Sequence, residues 1–141
     1  MTLLDRVAPV QIGVSLKMYL SHAQTVEWCR ALRDIARIHS ATRSRTAEIF
    51  VIPSYPSVIT AHTLLENTAA VGAQNISSED SGPFTGEVSG RVLREIGCTV
   101  VLIGHSERRR LFGDTDEVVR AKMTASREPP RRCPRTGDGV Q

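Results

Sequence analysis

Short apolar runs rich in Val and Ile recur four times along the chain, and each is followed by Gly, Ser or Pro. Runs of this composition with these boundaries predict β-strands. The second and fourth runs are apolar without alternation, which favours strands covered on both faces, as in a parallel sheet. The predicted strands cover residues 10–14, 49–52, 71–76 and 99–103.

Helical patterns separate these runs. Residues 23–38 carry one apolar stripe at helical spacing, with charged side chains on the opposite side, and form the strongest predicted helix. Shorter patterns predict helices over 56–67 and 90–96. A last helix is predicted to start near Asp114, which can cap it, with Glu117 three residues further on.

The order of elements is therefore strand then helix, four times over. Right-handed crossovers between such units produce a parallel sheet with helices outside it, so the fold class is α/β. Two architectures fit this pattern: a small doubly wound sheet, or the first half of an eight-stranded barrel of about 250 residues. The periodicity alone does not choose between them.

Composition narrows the class of protein. The chain has 141 residues, of which 40% are hydrophobic, so it can bury one core of single-domain size. Three cysteines cannot build a disulfide scaffold. No apolar run approaches the roughly 18 residues of a membrane span, and residues 1–9 lack an apolar signal core. We therefore expect a cytoplasmic protein that does not bind a membrane.

The formal charge of +3 does not indicate nucleic-acid binding. The excess sits in residues 127–141, which hold four arginines against two acidic residues, so the rest of the chain is nearly neutral. Aromatic residues make up only 4% of the chain, so the basic side chains are not interleaved with aromatic rings on which nucleic-acid bases could stack. We expect no nucleic-acid partner.

Two polar side chains follow predicted strands at the edge of the sheet where α/β proteins bind ligands. His105 follows the fourth strand, where a neutral imidazole can donate a hydrogen bond to a carbonyl or enediolate oxygen; the alternative is that it only caps the turn. Lys17 follows the first strand, two residues after Ser15, and is one of only two lysines against sixteen arginines. A phosphate or oxyanion suits its ammonium, although a solvent-exposed lysine is the commoner explanation for such a position.

The other polar clusters do not match a known catalytic or metal-binding motif. The loop over residues 77–87 lacks the Lys-Ser/Thr of a phosphate-binding loop, and we interpret it as a protruding interaction loop. The histidines show no zinc spacing, and no pair of cysteines forms a C-x-x-C motif. We interpret Cys29 and Cys98 as small core residues. The sequence thus indicates neither a metal nor a cofactor.

Four segments resemble the triosephosphate isomerase family. Residues 103–109, Ile-Gly-His-Ser-Glu-Arg-Arg, resemble the family's signature around its electrophilic histidine. Residues 72–75 and 82–87 resemble its third strand and interface loop. In its first-strand motif, Gly-Asn-x-Lys-Met, Lys17 and Met18 match, but the asparagine is replaced by Ser15. The resemblance runs from about residue 10 to 125 and implies the first four β/α units of a (β/α)8 barrel.

The resemblance also implies roles for these residues. It makes the protein an isomerase that converts an aldose and a ketose of a small phosphorylated sugar through an enediolate, without a cofactor. His105 would be the electrophile, Lys17 would stabilise the enediolate and phosphate, and Ser15 with Lys17 would bind substrate. Ser106 and Glu107 would support the site. Thr85 and Gln74 would lie at the interface of a homodimer.

The resemblance stops before the family's glutamate base, so this chain is expected to contain no general base and to be close to inactive alone. We interpret residues 1–125 as the N-terminal half of the isomerase domain. Residues 126–141, rich in Arg, Pro and Gly, are interpreted as a disordered or frameshift-derived tail. Two alternatives remain: a non-catalytic half-barrel or interaction module, and, because of Ser15, an isomerase of a four-carbon ketose phosphate such as erythrulose phosphate.

Overall fold

The structure is a computed structural model that describes residues 9–127. Four strands form one parallel sheet in the order β1-β2-β3-β4, and each strand pairs with the next one along the chain. The strands are β1 Val10–Ser15, β2 Ala47–Ile52, β3 Ala70–Ala73 and β4 Val100–Val101. The helices are α1 His22–Ile38, α2 Ser40–Arg43, α3 Val58–Leu65, α4 Gly90–Glu95, α5 Ser106–Phe112 and α6 Asp116–Arg127, with a short 3₁₀ turn at Tyr55–Ser57.

The strand order decides between the two predicted architectures. A doubly wound sheet reverses its strand order and carries helices on both faces. Here the order follows the chain, and α1, α3 and α4 pack on the same face of the sheet. The α/β prediction is confirmed in its half-barrel form, and the doubly wound alternative is wrong.

The core lies between the sheet and its helices. Val51 of β2 and Val71 of β3 are buried against Cys29 of α1 and Leu65 of α3. A second cluster places Leu93 of α4 against the ends of β3 and β4. Burial of these branched side chains stabilises the sheet from one side, by about 2 kcal/mol for each fully buried residue.

The opposite face of the sheet includes Ser15, which lines the cavity of the candidate site. In β1 this face carries Gln11, Gly13 and Ser15, and Gln11 Nε2 donates to Glu48 of β2 at 2.6 Å. The Phe50 ring lies over Gly13, so closely that a Cβ at position 13 would meet it at 2.0 Å. Glycine is required there because the Phe50 ring occupies the space that a Cβ would take.

Several predicted boundaries shift. Helix α1 begins at His22, one residue earlier than predicted, because Ser21 and Gln24 form a capping box. Asp114 was predicted to cap the last helix, but that is wrong: α6 begins at Asp116, and the Thr115 hydroxyl accepts from the Val118 N–H at 3.4 Å.

Helix α6 continues to Arg127, two residues past the predicted boundary at 125. The predicted tail from residue 128 onward lies outside the described residues. No helix within residues 9–127 is long and apolar enough to cross a membrane.

Candidate active site

Lys17 sits at the carboxyl end of β1 in an unusual backbone conformation. Its φ of 52° lies in the left-handed region, which costs a non-glycine residue about 1 kcal/mol or more. Two bonds from Gln74 hold this turn, because its Nε2 donates to the Lys17 carbonyl at 2.7 Å and to the Ile52 carbonyl at 3.4 Å. Gln74, predicted as an interface residue, therefore also positions the lysine backbone.

His105 follows β4 and caps helix α5. Its Nδ1 accepts a hydrogen bond from the Glu107 backbone N–H at 3.1 Å. The structure thus gives His105 the capping contact that the sequence left as an alternative, and it does so through Nδ1 alone. The other ring nitrogen, Nε2, is left to face Lys17.

The two side chains meet closely. Lys17 Nζ lies 2.6 Å from His105 Nε2. Each ring nitrogen of His105 has a donor against it, the Glu107 N–H at Nδ1 and the Lys17 ammonium at Nε2. A neutral imidazole has one acceptor nitrogen, so it satisfies only one of these two donors. An acceptor oxygen in the cavity, within reach of both Nζ and Nε2, would satisfy the other.

Glu107 balances the charge of this pair. Its Oε2 lies 3.2 Å from Lys17 Nζ, and both side chains are partly exposed. Because Glu107 stands in the first turn of α5, its carboxylate also interacts favourably with the helix dipole. Ser106, the first residue of α5, is exposed.

These groups line a cavity of about 300 Å³. Ser15, Lys17, Gln74, His105 and Glu107, all predicted from the sequence, lie on its wall. Its volume is at the lower end of the range for small-molecule sites. The wall also includes residues that the sequence did not single out, among them Tyr55, Asn75, Leu102, Arg108 and Phe112.

A buried ionic cluster behind the cavity wall was missed by the sequence analysis. Lys122 Nζ donates to Asp114 Oδ2 at 2.9 Å and to Asn75 Oδ1 at 3.0 Å, and both charged residues are 6% exposed. Arg108 Nε donates to the same carboxylate at 3.0 Å. Burial raises the pKa of Asp114, but the hydrogen bonds and charges of Arg108 and Lys122 outweigh it, so the pKa lies below its ordinary value.

The cluster fixes the segment after β3. Lys122 holds the Asn75 side chain, and the Tyr55 hydroxyl donates to the Asn75 carbonyl at 2.6 Å. Burial and the charge of Glu87 raise the pKa of Tyr55 to about 12. One signal could have found the cluster: the chain has only two lysines, and both make ionic contacts around this site.

The remaining predicted residues lie at the periphery. Thr85 is exposed on the loop between β3 and α4, which suits the predicted protruding loop. Cys29 is fully buried and Cys98 half-buried, and both pack in the core as predicted; burial raises the pKa of both thiols.

The sheet order and the position of Lys17 and His105 at the carboxyl ends of parallel strands are those of a barrel-type α/β protein with its site at the strand ends. A family model described as triosephosphate isomerase matches residues 10–129. The chain therefore belongs to the triosephosphate isomerase family.

Curated proteins that are similar to this chain are named as isomerases. An L-erythrulose-1-phosphate isomerase of Pectobacterium atrosepticum is 44% identical over 116 residues, which are 82% of this chain and 45% of that protein. A triosephosphate isomerase of Synechococcus sp. strain JA-2-3B'a(2-13) is 39% identical over 119 residues, 84% of this chain and 48% of that protein. Another, of Symbiobacterium thermophilum, is 50% identical over 80 residues, 56% of this chain and 31% of that protein. The chain spans about half the length of the first two.

Proposed function

We propose that this chain contributes the electrophilic half of an active site that isomerises a small sugar phosphate. The reaction moves a carbonyl group between neighbouring carbons through an enediolate. Membership of a family of isomerases supports the reaction class.

The observation that carries the proposal is the approach of Lys17 Nζ to His105 Nε2, 2.6 Å apart, on the wall of the cavity. The carbonyl oxygen of the substrate gains negative charge as the enediolate forms. Donors already aimed at that oxygen stabilise the charge without reorganisation. Triosephosphate isomerase is itself the established example of a neutral histidine acting as electrophile, so this assignment follows the family.

The proton balance needs one further group. A base removes the proton from the carbon beside the carbonyl and returns it to the neighbouring carbon, while His105 moves a proton between the two oxygens. Of the two carboxylates on the cavity wall, Glu107 is paired with Lys17 and Glu87 is exposed. We assign the base to a carboxylate outside the described residues, and general-base catalysis is worth about 10²- to 10⁴-fold in rate. The chain alone should then be close to inactive.

Two further expectations belong to this proposal. The family resemblance implies a cytoplasmic homodimer in which Thr85 and Gln74 contact the second subunit. The exposure of Thr85 on its loop leaves it accessible to such a partner. Size-exclusion chromatography with light scattering, on the chain and on a Thr85→Asp variant, tests the dimer: a monomer in both would contradict it.

A four-carbon ketose phosphate is the second candidate substrate. The similarity to an L-erythrulose-1-phosphate isomerase, and Ser15 beside Lys17, favour it. In that case the carbonyl moves along a carbon chain with one more hydroxyl group than a triose phosphate.

An NMR titration of the isotope-labelled chain tests the site itself. Addition of dihydroxyacetone phosphate should shift the backbone amide signals of Gly104 and Glu107, and unphosphorylated dihydroxyacetone should shift them far less. His105→Asn should reduce the response. Shifts confined to residues far from β1 and α5 would overturn the proposal.

A further inference from the structure

The parallel sheet ends in two free edges. Within residues 9–127, β1 pairs only with β2, and β4 pairs only with β3. The Val10 N–H points toward β2, where it donates to the Thr46 carbonyl. Because the backbone groups of successive residues in a strand point to opposite sides, those of Gln11, Gly13 and Ser15 face the free edge. Such a row of unpaired donors and acceptors is a template for another strand.

Exposed apolar side chains lie on the elements at both edges. On β1 they are Val10 and Ile12, and Ile12 is 47% exposed. Ile38 is exposed on α1, the helix after β1, and Met123 on α6, one of the two helices after β4. A single exposed apolar residue is ordinary on a protein surface, but these flank the unpaired backbone of the sheet. Each edge is therefore suited to a further strand with its helix.

A second copy of this chain fits both edges at once. The four strands are parallel, follow chain order and form half of an eight-stranded barrel. Rotation by 180° about the barrel axis keeps the direction of every strand. It places β1 of a second copy beside β4 of the first, and β4 of the second beside β1 of the first. The two joints are then identical, and no free edge remains.

The rest of the chain is too short to close the sheet in this way. The segments outside the described residues, 1–8 and 128–141, hold 8 and 14 residues. A single crossover between parallel strands takes a dozen residues or more. Four strands with their helices are needed to complete the barrel, and a second copy supplies that number.

We propose that two copies of this chain associate through their β1 and β4 edges into one eight-stranded barrel. This interface is separate from the one proposed above for Thr85 and Gln74. Each copy keeps its own pair of Lys17 and His105. The inference therefore goes beyond the proposed function and does not depend on it.

Size-exclusion chromatography with light scattering tests the association. Every sample carries Thr85→Asp, so that the interface proposed above cannot contribute. Ile12→Lys adds a charge at the β1 edge, and Met123→Lys adds one on α6, beside the β4 edge. Ile59→Lys is the matched control, because Ile59 is 62% exposed on α3, which follows the central strand β2.

The Thr85→Asp chain should have the mass of two chains, and addition of Ile59→Lys should leave that mass unchanged. Ile12→Lys and Met123→Lys should each weaken association by at least about tenfold, because each places a charge where an apolar side chain is buried between copies. Circular dichroism identifies a variant that has lost its fold. The two edge variants lie on different elements, so either one alone tests the inference.

Hydrogen exchange followed by NMR examines the β1 edge itself. The Gly13 amide should exchange slowly in the two-chain species and at least about tenfold faster in Met123→Lys, because it has a strand partner only in the closed barrel. The Val51 amide should stay protected in both, since β2 is paired on both sides within one copy.

Four results would overturn the inference and leave the proposed function standing. The first is a mass of one chain at every concentration, and the second is an equal loss of association in Ile59→Lys. The third is a mass that grows beyond two chains with concentration, since an open array does not close a barrel. The fourth is slow exchange of the Gly13 amide in a one-chain species, which would show that the chain covers its own edge.

Discussion

Lys17 Nζ lies 2.6 Å from His105 Nε2, although 88 residues separate them in the chain and their strands are the two edges of the sheet. In a flat sheet, β1 and β4 would stand three strand spacings apart, about 14 Å. The contact therefore crosses the concave side of a curved sheet. Curvature of this kind is the geometry of a barrel wall, so the fold brings the two groups together.

Removal of the Lys17 charge should weaken ligand binding without unfolding the protein. Lys17→Met keeps most of the side chain's length but loses the ammonium that faces His105 and Glu107. We expect at least about a tenfold loss of affinity for a sugar phosphate, because a hydrogen bond to a charged group is lost. Calorimetric titration measures it. Arg110→Met, on an exposed residue of α5, is the control, and an equal loss there would contradict a specific site.

The ionic cluster behind the site should matter for stability. Asp114→Asn leaves the buried Lys122 ammonium without its counter-charge. Breaking a buried pair in this way costs about 3 kcal/mol. Urea unfolding followed by circular dichroism measures the change. Asp116→Asn is the matched control, because the Asp116–Arg109 pair is exposed, and its unfolding midpoint should stay close to that of the unmodified chain.

The same cluster predicts an acid limb in the stability profile. The pKa of Asp114 is lower in the folded protein than its ordinary value of about 3.9 in an unfolded chain. Its charged form therefore stabilises the fold fully above that value, and the contribution is lost as pH falls below about 4. The unfolding free energy of Asp114→Asn should depend less on pH in this range. Parallel pH profiles for the two proteins would contradict the assignment.

Gly86 and Gly97 have nearly equal positive φ angles. Replacing each by alanine therefore distinguishes the stability cost of backbone strain from the cost of steric crowding. Gly86 (φ 92°) has no atom near the position of an added Cβ, whereas at Gly97 (φ 93°) the His62 ring would lie 2.4 Å from it. Gly86→Ala should cost about 1 kcal/mol from the backbone alone, and Gly97→Ala should cost more. Denaturant midpoints of both variants, and of Gly97→Ala combined with His62→Ala, measure the difference. Equal costs would show that His62 simply moves away.

Hydrophobic periodicity predicted the parallel sheet and the long helix α1 because each buries a regular apolar pattern. It missed α2 and α5, which bury no residue and so carry no such pattern. Helix α5 is stabilised instead by the His105 cap and by Arg108 stacked 4.8 Å from the centre of the Phe112 ring.

The residues of the site were likewise predicted only in part. Lys17 and His105 could be placed on one rim because strand ends share an edge of the sheet. Their partners come from three places, with Asn75 in the loop after β3, Asp114 between α5 and α6, and Lys122 on α6, and they make tertiary contacts that no local spacing encodes. For the same reason the predicted β3 ran too long: it ends at Ala73, and Gln74 turns to bind the Lys17 carbonyl.

The central proposal is that these residues hold the electrophilic half of an isomerase site, whose proton acceptor lies outside the described residues. The direct test is turnover of triose and four-carbon ketose phosphates by purified 141-residue chain, prepared in a host that lacks its own triosephosphate isomerase. We predict conversion no faster than that of a His105→Asn variant prepared identically. Rapid conversion by the unmodified chain that disappears in His105→Asn would contradict the claim.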